Sequence, residues 1–203
     1  MKIRPLGWLF EKLNTPSKRW GAGLLLVLGA VFGIAFSAGF ETFVASTGTE
    51  EFCISCHEMK SFPFAEYQQS VHYGSRSGVR PICSDCHVPK AFIPKIAAKI
   101  RATFVEVPAH FMGKIDTPEK FEAKRDELAK RARARMEAND SAGCRSCHNV
   151  KAMDPEKQSL HARREHEAGF KAGQTCIDCH MGIAHHLPDY LKKEQEKDVD
   201  FDF

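Results

Sequence analysis

The sequence predicts a mainly α-helical chain with extensive loops: one N-terminal transmembrane helix followed by a small cysteine-rich domain. Three observations carry that expectation. Residues 20–40, WGAGLLLVLGAVFGIAFSAGF, contain no charge. All eight cysteines fall in four C-x-x-C pairs, and a histidine follows each pair. No segment shows the sustained period-two alternation of a half-buried strand.

The apolar run comes first in the chain. At about 1.5 Å per residue it is long enough to cross a hydrocarbon layer of roughly 30 Å. Lys2, Arg4, Lys12, Lys18 and Arg19 precede it against a single acid, Glu11. This bias predicts a cytoplasmic N-terminus in a bacterial inner membrane, with a single pass and everything after Phe40 in the periplasm. A cleaved signal peptide is the rival, with Ser37, Ala38 and Gly39 as small residues near a cleavage point. The run exceeds a typical h-region, so a retained anchor is preferred. The expected organisation is a basic stub over residues 1–19, a membrane helix over 20–42, a periplasmic domain over 43–188 and a charged, disordered tail over 189–203.

The cysteine pairs are Cys53/Cys56, Cys83/Cys86, Cys144/Cys147 and Cys176/Cys179, followed by His57, His87, His148 and His180. C-x-x-C-H is the attachment pattern of c-type haem. Zinc ribbons also pair cysteines but need no histidine after each pair. Disulfides across a two-residue gap would form strained local rings. Four covalently bound haem c groups are therefore predicted, held by all eight cysteines, which makes the domain a small multihaem cytochrome c. A chain this short has little conventional core, so the porphyrins supply much of its buried apolar surface. The formal net charge of +3 is offset by the haem propionates and gives no ground for a nucleic-acid partner.

The long gap between the second and third motifs holds two helix candidates. The first runs from about Pro94 to Val107, with Ile96, Ile100, Phe104 and Val107 on one stripe and Lys99 and Glu106 seven apart on another side. Pro108 is expected to end or kink it. The second opens at Thr117 as N-cap, with Pro118 and Glu119 in the first turn, and closes near Asn139. Its many Lys and Arg residues read first as a solvated face and second as a docking patch.

Four irons need axial ligands. Beyond the motif histidines stand His72, His110, His161, His166, His185 and His186. Spacing alone does not choose His166 over His161, or His185 over His186. The first motif adds Met59, two places after His57, as a rival ligand.

"TEEFCISCHEM", "SVHY", "IDTPEKFEA", "CRSCHN", "GQTCIDCH" and "GIAHHLPD", in this order with these motif spacings, resemble the NapC/NirT family of membrane-anchored tetrahaem cytochromes. The resemblance runs from the anchor through the last motif. It implies that Met59 holds the first haem and leaves His57 off the iron. It implies His72, His166 and His185 as distal partners of the ligands His87, His148 and His180, with His110, His161 and His186 dispensable. It implies a quinol site, for menaquinol or ubiquinol, with Glu106 as proton acceptor and Lys99 as donor to the quinol oxygen. Relatives often carry Asp where Glu106 stands. The implied function is oxidation of the membrane quinol pool and delivery of electrons to a periplasmic reductase, nitrate reductase through its dihaem subunit first. A nitrite, N-oxide or S-oxide reductase is the alternative partner. A terminal multihaem reductase would need an exposed open iron, and all four motifs end in histidine. A soluble carrier would need the anchor removed.

Overall fold

A computed structural model describes Pro16 and residues 20–192. The basic residues of the N-terminal stub and the tail from 193 onward lie outside the described residues. Among the described residues every regular element is helical, and no strand occurs, as the absence of alternation predicts. The chain divides into two units, residues 1–46 and 47–203.

In the first unit, helix α1 runs Ala22–Ser46. Glu41 is its only charged residue, and the helix is long and apolar enough to cross a membrane. Phe32, Phe36 and Phe40 stack at i, i+4 spacing with ring centroids 6.2 and 6.3 Å apart. Near its end the Thr42 hydroxyl donates to the Ala38 carbonyl at 2.8 Å, which satisfies a polar group inside an apolar stretch.

The second unit starts with short helices. Helix α2 (Glu50–Cys53) is capped by Thr49, whose hydroxyl accepts from the Phe52 amide. Helix α3 (His57–Met59) runs into a wide π-type turn over Lys60–Phe64 that contains Pro63, then α4 (Ala65–Tyr67). Pro63 has no N–H to give to a regular ladder, and a wider turn accommodates it. Tyr67 and Tyr73 meet edge to face at 5.5 Å, Phe64 packs on Tyr73, and Arg80 lies 4.8 Å over the Tyr73 ring. The Tyr67 hydroxyl donates to the Pro81 carbonyl. Arg80 also pairs with the buried Glu50 at 3.0 Å. These contacts fold the loop between the first two motifs back on itself and fix the segment carrying His72.

Helix α5 (Cys83–His87) is the second motif. Helix α6 then runs Phe92–Phe111, four residues past Val107. Pro108 does not end it. A proline forfeits one amide and crowds the turn before it, yet the following carbonyls still find donors: Met112 N–H bonds Pro108 O and Gly113 N–H bonds His110 O. The turn-out comes at Gly113, in the left-handed region at φ 59°.

Helix α7 (Pro118–Ala138) begins as predicted, with the Thr117 hydroxyl accepting from the Lys120 amide, and Asn139 is its C-cap. It acts as a strut. At one end Phe121 is buried against Phe62 at 4.9 Å, and Arg125 donates to both oxygens of Glu66. At the other end Arg133 reaches Asp178 in the fourth motif. Arg131 pairs with Glu127, Arg133 also with Glu137, and Arg135 with Glu106. The arginines of this helix are therefore largely matched by acids of the same chain, which weakens the docking-patch reading.

Helices α8 (Ala142–Arg145), α9 (Leu160–Lys171) and α10 (Cys176–Cys179) complete the unit. Among the described residues the buried hydrophobic positions of this unit are Tyr67, Phe121 and Leu191. Polypeptide alone makes a very small core.

A candidate tetrahaem centre

Each cysteine pair has a local reason to adopt its turn. In the second and fourth motifs the residue before the second cysteine is an aspartate. Asp85 accepts from the Ile82 amide at 2.8 Å, and Asp178 from the Thr175 amide at 2.7 Å. Each carboxylate closes the N-terminal end of its own motif helix, and both cysteines of the pair lie within that helix. In the first and third motifs the same position is serine. Ser55 donates to Phe52 O and Ser146 to Gly143 O, both at 2.7 Å. The four motifs thus use two alternating devices to present Cys-x-x-Cys-His.

With the serine device the motif helix ends before the second cysteine. Helices α2 and α8 stop at Cys53 and Arg145, so Cys56 and Cys147 fall in the turns that follow. Cys147 is exposed, and the Ser146 hydroxyl lies 3.9 Å from its sulfur. Its backbone still holds the motif geometry, since Cys147 N–H and His148 N–H both bond the Cys144 carbonyl, at 3.2 and 2.8 Å. Cys86 and Cys179 are exposed as well, while Cys53, Cys56, Cys83, Cys144 and Cys176 are half-buried. In three of the four motifs the second cysteine is thus exposed.

The motifs abut in chain order. Cys53 and Cys83 are close enough for their thiols to interact directly. Gly143, at the third motif, lies against the Asp85 carbonyl and the Cys86 backbone, and a Cβ there would come within 2.8 Å of that oxygen. Ser141 is almost wholly buried and accepts from the Ile177 amide of the fourth motif.

The histidines come in facing pairs. Ring centroids are 6.2 Å apart for His72 and His148, 6.1 Å for His87 and His185, and 6.0 Å for His166 and His180. Two imidazoles on opposite sides of one metal, each bonded at about 2 Å, place their centroids roughly 6 Å apart. Two of the outer nitrogens are also held. His72 Nδ1 faces the Ile183 carbonyl at 3.3 Å and His166 Nδ1 faces Gln158 Oε1 at 2.9 Å. The Pro63 carbonyl lies near His185, whose buried Nδ1 makes no hydrogen bond. An acceptor at Nδ1 fixes the proton there and leaves Nε2 free for iron. The residues present thus fit covalently attached haem in cysteine pairs, ring spacing and orientation. His186 turns to Glu66, its amide donating at 2.8 Å.

Around the first motif the structure adds two residues to which the sequence assigns no role. Glu58 is 3% exposed, and its Oε1 lies 2.5 Å from His110 Nδ1. Its Oε2 is 3.4 Å from His57 Nε2. The His57 and His110 rings are 6.0 Å apart. The resemblance makes His110 dispensable, and an end at Pro108 would leave it off the helix. With α6 continuous, Lys99, Thr103, Glu106 and His110 fall at i, i+4, i+7 and i+11 on one polar stripe. Met59 remains partly exposed.

Lys99 and Glu106 have separate partners. Lys99 Nζ donates to Thr47 Oγ1 at 2.7 Å, and burial pushes its ammonium below the usual lysine range. Glu106 is 57% exposed and pairs with Arg101 at 2.8 Å and Arg135 at 3.7 Å.

A membrane-spanning apolar helix joined to four haem-attachment motifs defines a membrane-anchored multihaem cytochrome c, an electron-transfer protein. The signature of the NapC/NirT cytochrome c family, N-terminal region, matches residues 15–190. The chain is 50% identical over 186 residues to the cytochrome c-type protein NapC of Escherichia coli K12, covering 92% of each. It is 46% identical over 190 residues to the denitrification system component NirT of Stutzerimonas stutzeri, covering 94% of each. It is 48% identical over 181 residues to the cytochrome c-type protein TorC of Escherichia coli K12, covering 89% of this chain and 46% of TorC. No solved structure matches. The chain belongs to the NapC/NirT cytochrome c family, whose covalently bound haem c groups carry electrons from the membrane to a periplasmic reductase.

Proposed function

We propose that this protein oxidises membrane quinol and passes the electrons to periplasmic nitrate reductase through that enzyme's dihaem subunit. The observation that carries the reading is the set of four Cys-x-x-Cys-His motifs abutting in chain order, with imidazoles paired at 6.0–6.2 Å, in a chain that also carries a membrane-length apolar helix.

The four pairs Cys53/Cys56, Cys83/Cys86, Cys144/Cys147 and Cys176/Cys179 hold the haems. His87 with His185, His148 with His72, and His180 with His166 would hold the irons of three of them. On the motif side of the first haem the ligand is Met59, which the family resemblance favours over His57. When bound, the haems supply one-electron redox chemistry, and a thioether ligand raises the potential of the first relative to the others. The polypeptide handles the rest. Oxidising a quinol to a quinone releases two electrons and two protons. Lys99, already partly desolvated, donates to a quinol oxygen and stabilises the negative charge that develops there. Glu106 accepts a proton and releases it to water from its exposed position, with Arg101 and Arg135 beside it. The N-terminal basic cluster keeps residues 1–19 in the cytoplasm and leaves the domain from residue 43 onward periplasmic.

The 46% identity to NirT supports a second reading, in which the acceptor is a different periplasmic reductase. One experiment separates the two. Membranes containing the full-length holoprotein are reduced with a quinol analogue, then mixed with candidate reductases. The proposal expects haem reduction by quinol and reoxidation by nitrate reductase with its dihaem subunit. Reoxidation only by a nitrite, N-oxide or S-oxide reductase favours the second reading. Absence of quinol-driven reduction defeats both.

A further inference from the structure

The family resemblance leaves the distal face of the first haem open or only loosely occupied. We propose instead that His110 is the distal axial ligand of that haem, delivered from α6 to the face opposite α3. The inference rests on the reading that the first motif carries a haem.

Three observations converge on it. The His57 and His110 rings are 6.0 Å apart, against 6.0–6.2 Å for the other three facing pairs. His57 marks the α3 side of the gap. Met59 stands two places further on in the same single turn and projects from another side of it, so the measured spacing speaks for His57 as the residue facing His110.

The second observation concerns the other ring nitrogen. His110 Nδ1 lies 2.5 Å from Glu58 Oε1, as His72 Nδ1 faces a carbonyl and His166 Nδ1 a side-chain amide oxygen. Metal-bound histidines ordinarily hand their second N–H to a carboxylate or carbonyl, which fixes the tautomer and aims the free nitrogen at the metal. Glu58 is nearly fully buried, and one of its oxygens makes no hydrogen bond. A buried carboxylate is costly unless it is engaged, and anchoring an iron ligand engages it.

The third observation is proximity. Ligand atoms of His57, Glu58 and His110 lie within 4.8 Å of one another. Two nitrogens on opposite sides of one iron stand about 4 Å apart, a separation within that range, and Glu58 touches both rings, with Oε1 at His110 Nδ1 and Oε2 3.4 Å from His57 Nε2.

A six-coordinate first haem has a functional consequence. Quinol would not bind its iron, and electrons would cross from the quinol ring to the porphyrin edge. Lys99 and Glu106 would then orient a quinol beside the haem.

The test uses the full-length holoprotein and spectroscopy. The native protein should show four low-spin haems and bind no carbon monoxide when reduced. His110→Ala should keep four attached haems by mass, convert about one quarter of the haem to a high-spin, carbon-monoxide-binding form, and regain low-spin character with added imidazole. A native protein that already holds a high-spin, carbon-monoxide-binding haem overturns the proposal. Unchanged spectra in His110→Ala with all four haems attached do the same, including when the variant loses a bound zinc ion. If His110→Ala does not accumulate, His110→Met serves. It should stay low-spin and raise the potential of one haem, and four unchanged potentials defeat the proposal. Haem count and quinol-driven reduction of the native protein report separately on the underlying reading, so its failure is distinguishable.

Discussion

At the residue scale the chemistry divides between what attaches and what tunes. The cysteines and their following histidines are fully legible in sequence, because C-x-x-C-H is a local pattern that needs no fold. Their exposure is not: nothing in the pattern says that Cys147 is exposed while Cys144, three residues earlier, is half-buried. The distal histidines are only half legible. Six spare histidines offer themselves, and local sequence carries no information about which ring faces which across the chain. The pairing of Glu58 with His110 is not legible at all, since it spans 52 positions. Two substitutions test the residues assigned to quinol chemistry. Met59→His should move the first haem toward bis-histidine ligation, lower its potential and slow quinol oxidation; potentiometry and quinol-driven reduction report it, and unchanged values count against Met59. Glu106→Gln should depress quinol-driven haem reduction by roughly 10²-fold or more if this carboxylate is the acceptor. Reduction by dithionite should be untouched, and equal loss of both would indicate a damaged fold.

At the element scale the most informative departure is α6. The apolar stripe and the Lys99–Glu106 spacing locate the helix, but a local reading stops it too early by giving Pro108 the last word. The contact of His110 with Glu58, 52 positions away, helps hold the last turn despite one lost amide, a context that the local pattern does not contain. Helix α7 is better specified, since Thr117, Pro118 and Asn139 carry their own start and stop chemistry. Thr117→Ala should cost about 1 kcal/mol through the lost cap, measurable as a lower midpoint in chemical denaturation.

The same helix makes a pH-dependent connection. Burial alone would raise the Glu66 carboxyl, but Arg125 and the His186 amide together hold it below its ordinary range. Its folded pKa is thus depressed, so its contribution to stability is present above the unfolded value near 4.3 and fades as the pH falls through the lower, folded value. Arg125→Ala, which leaves Glu66 buried without that partner, should destabilise by about 3–5 kcal/mol near neutrality. The variant's deficit should shrink in acid. A deficit independent of pH would mean that the guanidinium matters only through packing on Phe121, which it overlies at 5.0 Å.

At the scale of the whole molecule, the haem groups replace a conventional core. Mainly helical architecture, anchor and four-motif domain are all visible in sequence. The arrangement of the motifs is not, because chain spacing does not say which helices touch. A chain lacking residues 1–46, secreted with another signal, should be a soluble four-haem protein reducible by dithionite and reacting poorly with membrane quinol. Full activity with quinol-loaded membranes would remove the case for the anchor.

Gly143 shows how little tolerance such a wire has. Its missing side chain lets the third motif seat directly on the backbone of the second. Electron hopping weakens exponentially as the gap between carriers widens, so one methyl group here would act as a resistor inserted mid-circuit. The molecule's throughput is set in part by an atom it does not possess.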